Sequence, residues 1–191
     1  MKPNSESPLS ETKSDENDPT WLLGIAIHAA AHAVAAVVHG IDLISVDIKK
    51  TKMGDNVREG CAFVEPIEPS DIIGKGKDAA MPHLVLSLAG SMAQDNLYPG
   101  CLDDFPDSSD GKRALAIAAA ALCDVTEHND FLGAFDSEEL KPQVEVLLAS
   151  AIDEADRFVD DHILLIIKVA GLLFERDELT GDEVRSIVNA A

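Results

Sequence analysis

The apolar positions of the chain form helix-length runs, apart from one short region of alternation near the N terminus. Residues 21–39 are apolar except for a glycine and three histidines, which predicts a helix that ends at Gly40. Residues 43–49 alternate apolar and polar positions and predict a half-buried strand. Residues 60–65 form a second predicted strand, and the turn signal at residues 54–56 favours a β-hairpin.

Helices are predicted for most of the remaining chain, wherever a proline or a capping residue precedes an apolar pattern of helical period. The glycine-containing residues 71–78 predict a loop. After it, helices are predicted from near Pro82 to about Leu97, from Ser108 or Ser109 to about His128, and over residues 137–174. Thr180 and Glu183 have the spacing of a capping box in front of a last short helix. The pattern therefore predicts a mainly helical α+β domain with a small N-terminal β-hairpin or sheet.

The first 20 residues differ in composition from the rest of the chain. They are rich in Ser, Glu, Asp, Asn and Pro, and are predicted to form a disordered acidic tail before a single domain over residues 21–191. The 191 residues include 15 Lys and Arg against 35 Asp and Glu, which gives a net charge of −20. Because such a charge is repelled by phosphate backbones, nucleic acid is not an expected partner.

The cysteines and the apolar N-terminal run bear on the location of the protein. Cys61, Cys101 and Cys123 are odd in number and none forms a Cys-x-x-Cys pair. This argues against a disulfide framework and favours a reducing, cytoplasmic location. Residues 21–38 are apolar enough to raise the question of a membrane helix. Two histidines in their middle and the lack of a basic flank favour a buried helix and no membrane span.

His28 and His32 are the first candidates for chemistry, because they lie four residues apart on the first predicted helix. At that spacing both side chains lie on one face, where two imidazoles can bind one metal ion. His39 falls on the same face but about 10 Å further along, too far to share that metal. The alternative interpretation is a pair of hydrogen-bonded core histidines. In the H-E-x-x-H motif of zinc peptidases a glutamate transfers protons, and Ala29 stands at that position.

Several segments together resemble one family in their order along the chain. Residues 24–34 around the two histidines are followed by the predicted strands, by residues 90–94 (Gly-Ser-Met-Ala-Gln) and by residues 108–114 (Ser-Ser-Asp-Gly-Lys-Arg-Ala). The apolar residues 162–174 and the Leu-Thr-Gly-Asp-Glu turn at residues 179–183 complete the series. From about residue 21 to residue 188, this order is similar to the peptidase domain of the FtsH family, the membrane-anchored ATP-dependent zinc metallopeptidases.

The resemblance implies a zinc site. Its ligands would be His28, His32 and Asp110, which leave a fourth position for water. By residue type alone, three nearby aspartates are as suitable as Asp110: Asp103, Asp104 and Asp107. An acidic residue at the start of a helix is also favoured by the helix dipole, with or without a metal.

The resemblance further implies hydrolysis of peptide bonds by zinc-bound water, with a peptide or protein as the substrate or ligand. It also allows for a homo-oligomer. The second predicted strand is similar to the edge strand that binds extended substrate in the family, and comprises Gly60, Cys61, Ala62, Phe63 and Val64. The alternative interpretation is an ordinary half-exposed strand.

Three features depart from the family. Ala29 replaces the catalytic Glu, Gln94 replaces a second Glu, and the sequence contains no G-x-x-x-x-G-K-[ST] phosphate loop. Because alanine cannot transfer protons, the domain is expected to be inactive or strongly impaired as a peptidase. The sequence does not distinguish a natural Ala29 from an active peptidase whose Glu was replaced, although Gln94 favours natural divergence. The other hypothesis is a helical interaction or regulatory protein without metal, which retains only the peptidase fold.

Overall fold

The computed structural model describes residues 19–48, 52–53, 56–57, 61–64, 69–97, 108–123 and 138–191. Its helices are α1 (Pro19–Val38), α2 (Gly76–Leu97), α3 (Ser109–Leu122), α4 (Lys141–Arg176) and α5 (Gly181–Asn189), with a 3-10 turn at Pro69–Asp71. Its strands are β1 (Leu43–Asp47), β2 (Lys52–Met53), β3 (Asn56–Val57), β4 (Cys61–Val64) and β5 (Glu178–Thr180). The predicted α+β class, mainly helical with a small sheet, is confirmed.

Helix α1 is the central element of the fold. It packs against α2 and α4 and also contacts β1, β4 and α5. Its alanines from Ala26 to Ala36 are completely buried, as expected for a helix that is apolar on every side. Small side chains let the backbones of neighbouring helices approach closely, so α1 brings its two histidines within reach of α2. None of the helices in the described part of the chain has the length and apolar character needed to cross a membrane.

The predicted hairpin is confirmed as the antiparallel pair β1 and β4, with Val46 opposite Ala62 and Asp47 opposite Cys61. A third strand, β5, pairs with the other edge of β1 and gives the order β4-β1-β5. The sequence pattern missed β5 because three residues are too few to show a period of two. The buried Val46 has Leu179 of β5 as its other neighbour, so the sheet covers one side of α1.

Several predicted helix limits were wrong. Helix α1 begins at Pro19, within the predicted disordered tail, of which residues 1–18 lie outside the described residues. Helix α4 begins at Lys141 rather than at residue 137. Helix α2 begins at Gly76 rather than near Pro82, so the predicted loop is replaced over residues 76–78 by the first turn of a helix. Gly76 has a φ of +80°, which glycine adopts without strain. Pro82 therefore lies inside α2, where it lacks the amide that would bond the carbonyl of Asp78, an exposed residue. Helix α3 ends at Leu122 rather than near His128, because Cys123 is extended.

Helix α5 begins with the predicted capping box. The Thr180 hydroxyl accepts a bond from the Glu183 amide, and the Glu183 carboxylate accepts one from the Thr180 amide at 2.8 Å. The Thr180 amide, followed by the Arg176 guanidinium, lowers the pKa of Glu183 to about 2. The stabilisation due to Glu183 is therefore fully present above its ordinary pKa of 4.5 and is lost as the pH falls towards 2.

We expect Thr180→Ala to lower the free energy of unfolding by about 1 kcal/mol, because it removes the acceptor for the Glu183 amide. Urea unfolding at pH 7 measures this loss. Ser186→Ala is the matched control, since it removes a hydroxyl that donates to the Asp182 carbonyl within the same helix but leaves the cap in place. Equal losses in the two variants would contradict a specific role for the cap.

Candidate metal centre

The imidazoles of His28 and His32 meet on one face of α1. Their Nε2 atoms are 2.9 Å apart, and the rings are nearly perpendicular, with centroids separated by 4.6 Å. The i, i+4 spacing places the two side chains one above the other. This confirms the geometry that the sequence predicted for the pair.

Helix α2 orients both rings through their other nitrogens. Nδ1 of His32 lies 2.6 Å from the carbonyl oxygen of Leu86, and Nδ1 of His28 lies 3.2 Å from Oε1 of Gln94. Since a carbonyl oxygen only accepts hydrogen bonds, each Nδ1 carries the proton. In the neutral rings both Nε2 atoms therefore present a lone pair to the space between them.

The start of α3 supplies Asp110. The Ser108 hydroxyl caps this helix by accepting a bond from the Gly111 amide at 3.1 Å. This cap fixes the first turn and directs Oδ2 of Asp110 to 3.0 Å from Nε2 of His28 and 3.2 Å from Nε2 of His32. Three ligand atoms, each on a different residue, thus converge on one point.

The charges at this point favour an ionised Asp110. Burial acts to raise the pKa of its carboxyl group, but His32 and His28 outweigh that effect and hold it far below its ordinary value. Burial likewise acts to lower the pKa of His32, whereas Asp110 and the Leu86 carbonyl raise it overall, against opposition from Arg113. Two lone pairs and a carboxylate repel one another unless a cation or an added proton lies between them.

Gly90 of α2 provides the space in which the two rings meet. A Cβ atom at this position would overlap Nε2 of His32 and would lie 2.7 Å from Nε2 of His28. A glycine inside a helix costs roughly 1 kcal/mol relative to alanine, so its presence here indicates a close approach. The donor atoms of both histidines thus lie directly against the α2 backbone.

The donor set and its spacing fit a metal ion. Tetrahedral zinc with ligands at about 2.0–2.1 Å has neighbouring donor atoms about 3.3 Å apart. The three separations between donor atoms here are 2.9, 3.0 and 3.2 Å, which are close to this distance. His28, His32 and Asp110 could therefore hold a metal ion.

Comparisons of the chain with protein-family models and with curated proteins find no match. The membership of the FtsH family remains a prediction based on the order of the sequence motifs.

The other predicted site residues fall into two groups. Gln94 lies against His28, and Ala29 is completely buried next to it. The methyl side chain of Ala29 carries no titratable group. The three aspartates that are as suitable as Asp110 by residue type lie outside the described residues: Asp103, Asp104 and Asp107.

The second predicted strand, for which the resemblance implies substrate binding, is present over four of its five named residues, and its role stays a prediction. Residues Cys61 to Val64 form β4, at the edge of the three-stranded sheet, and Gly60 lies outside the described residues. Within the described chain, only β1 pairs with β4. The Phe63 side chain is 40% exposed. The strand therefore has an edge and an apolar side chain that an extended peptide could contact.

The sequence alone did not reveal the two contributions of the α2 backbone, the Leu86 carbonyl and the Gly90 surface. Because every residue has a main-chain carbonyl group, a sequence does not show which one accepts a hydrogen bond from a side chain. Gly90, by contrast, interrupts the apolar pattern of residues 84–93, and an isolated helical glycine is a signal of close backbone approach.

Proposed function

We propose that the chain is a zinc-binding domain of the FtsH-peptidase type that binds peptide or protein segments and hydrolyses them poorly or not at all. The observation that carries the proposal is the convergence of three donor atoms, two imidazole nitrogens and one carboxylate oxygen, at separations of 2.9–3.2 Å. Two His and one carboxylate are a common ligand set of catalytic zinc. The order of motifs along the chain adds independent support.

The proposed ligands of zinc are His28, His32 and Asp110. Bound zinc would supply a Lewis acid that polarises a carbonyl group and lowers the pKa of a coordinated water. The Leu86 carbonyl orients His32 and the Gln94 amide orients His28. Because an amide is neutral, Gln94 makes His28 a weaker donor than a glutamate would.

The proposed loss of activity rests on Ala29. General acid–base catalysis needs a titratable group within reach of the proton that moves, and a methyl side chain has none. Binding requires only the metal and a surface for the bound segment, for which our candidate is the edge of β4 that no other described strand covers. We place the protein in the cytoplasm because its three cysteines are odd in number and include no Cys-x-x-Cys pair.

The test is the zinc content of the untagged full-length protein, purified without added metal and measured by elemental mass spectrometry. We expect close to one zinc per chain. Asp110→Asn should lose most of it, because the carboxylate charge is removed. Asp78→Asn is the matched control: Asp78 is also an acidic residue in the first turn of a helix, here α2, but it is exposed and outside the donor group.

The alternative is a helical interaction or regulatory protein without a metal. The observation in its favour is that Nδ1 of each histidine already has a hydrogen-bond partner, as core histidines do. Failure of the wild-type protein to bind zinc after addition of excess metal would overturn our proposal. An unchanged fold in His32→Ala together with that failure would favour the alternative.

A further inference from the structure

Two further histidines lie outside the candidate metal centre, His39 directly after α1 and His83 in α2. Helices α1 and α2 run antiparallel here, since His28 contacts Gln94 whereas His32 contacts Leu86, earlier in α2. His39 lies seven residues after His32, and His83 lies seven residues before Gly90. Each step is about 10 Å along a helix, so His39 and His83 lie level across the interface. The charge of His39 also contributes to lowering the pKa of His83, which agrees with this placement.

Helix α4 closes the cluster. The Phe158 ring stacks on His162, with centroids 4.4 Å apart, and contacts His39 at 5.5 Å. Nδ1 of His162 donates to the Phe158 carbonyl at 2.9 Å. We call His39, His83 and His162, with Phe158 between two of them, the histidine junction. It joins three helices about 10 Å from the candidate metal centre.

Two nitrogens in the histidine junction are buried without a partner. Nε2 of His39 and Nδ1 of His83 make no hydrogen bond within the described part of the chain. Most buried polar atoms in proteins are paired, so each such atom calls for an explanation. A neutral imidazole can leave its acceptor nitrogen unpaired at moderate cost, whereas an imidazolium must place a charge and a donor in the same position.

The surrounding charges oppose protonation of His83 and largely of His39. His83 experiences the charges of Arg113 in α3, of Lys75 just before α2 and of His39 just after α1. Together with burial, which is the larger effect, they lower its pKa.

His39 faces two groups of α4, His162 and Glu154. Burial is the main effect on His39, and with His162 it lowers the pKa of His39 against the opposing charge of Glu154. Both His39 and His83 are therefore neutral in the packed state at pH 7.

We propose that the histidine junction is an acid-sensitive contact, which holds the end of α1 to α2 and α4 while His39 and His83 are neutral and loosens when they are protonated. Protonation places one cation on His83, near Arg113 and Lys75, and another on His39, near His162, between packed helices. The end of α1 then gains from moving into water, where the imidazolium ions are hydrated. The segment that loosens is thus the end of α1, the helix that carries the two histidine ligands of the candidate metal centre.

The sign of the pH dependence follows from the direction of the pKa changes. In the unfolded chain both histidines take up a proton below pH 6.5, their ordinary pKa, whereas in the folded chain they resist it. The stabilisation is present at higher pH and is lost as the pH falls from about 6.5 towards the lower folded values. Each histidine changes the folding equilibrium by up to about tenfold per pH unit in that range. His32, whose pKa is raised, acts in the opposite direction.

The test is urea unfolding of the full chain between pH 8 and pH 5, for the wild type and for His39→Gln/His83→Gln. We expect the logarithm of the unfolding constant to rise more steeply in the wild type than in the double variant as the pH falls below 6.5, with a difference in slope of up to one proton per histidine. The double variant should lack that extra slope, and above pH 7.5 the two proteins should have parallel curves. Equal slopes below pH 6.5 would overturn the proposal.

A second measurement covers the case in which the double variant does not fold. The imidazole Cε1–Hε1 NMR signals of the wild-type protein give the titration of each histidine, and the single variants assign them. We expect His39 and His83 to titrate below pH 6.5, and the amides of residues 35–40 to exchange faster once they do. Titration of both at or above pH 6.5, or unchanged exchange, would overturn the proposal.

Discussion

Gly90→Ala is expected to weaken metal binding strongly while the protein stays folded. The added methyl group would overlap Nε2 of His32 and approach Nε2 of His28 to 2.7 Å, so both rings must swing away. Imidazoles are the far ends of rotatable side chains, and the movement therefore costs the fold little. The donor atoms, however, can no longer converge with Asp110. We expect the affinity for zinc to fall by about 100-fold or more.

Gly171→Ala is the matched control for this substitution. Gly171 also lies inside a long helix, α4, and a Cβ atom there would meet nothing within 4 Å. The same chemical change should leave zinc binding intact and raise stability by roughly 0.5–1 kcal/mol through helix propensity. Competition with a chromophoric chelator measures the affinities, and urea unfolding measures stability. Unchanged zinc affinity in Gly90→Ala would contradict the assigned geometry.

The histidine pair and its geometry could be predicted because both residues lie on one helix. A spacing of four residues fixes the relative direction of His28 and His32 whatever the rest of the fold does. Asp110 is different, since it is 78 residues from His32 along the chain and only tertiary packing brings it there. The sequence could select it over its neighbouring aspartates only through a family resemblance.

The difference between local and long-range contacts also explains which parts of the fold could be predicted from the sequence. The capping box at Thr180 and the cap at Ser108 are local hydrogen bonds, and the sequence predicted both. The strand β5 exists only because β1 is available to pair with it, and the first turn of α2 forms ahead of Pro82 despite the proline. In each case tertiary contacts decided what local preference left open.

The alanines of α1 connect the fold with the site. Because Ala33 and Ala36 are completely buried, neighbouring helices can approach the α1 backbone closely. The approach is close enough for the Leu86 carbonyl to bond His32 at 2.6 Å. Larger side chains in their place would separate α1 from α2 and leave the imidazoles without their orienting partners. The buried alanines of α1 therefore contribute both to the core and to the geometry of the candidate metal centre.

Ala29→Glu is expected to give the protein peptidase activity. It places a carboxyl group next to His28, at the position that a general base occupies in the H-E-x-x-H motif. Ala29 is completely buried, so the new group is desolvated, which raises its pKa towards the range in which a base works at neutral pH. The same burial lowers stability, and zinc content and unfolding must be measured before activity. Cleavage of fluorescein-labelled casein then reports the gain.

Ala29→Gln separates proton transfer from the effect of side-chain size. Its side chain has nearly the same volume as that of glutamate but cannot accept and return a proton. We expect the glutamate variant to cleave casein about 10²–10⁴-fold faster than the glutamine variant, which is the usual contribution of general acid–base catalysis. Equal rates in two folded, zinc-loaded variants would mean that the site lacks more than its base. A protein that binds zinc but gains no activity would then be a zinc-containing binding domain. Its ligand would be sought first at the edge of β4.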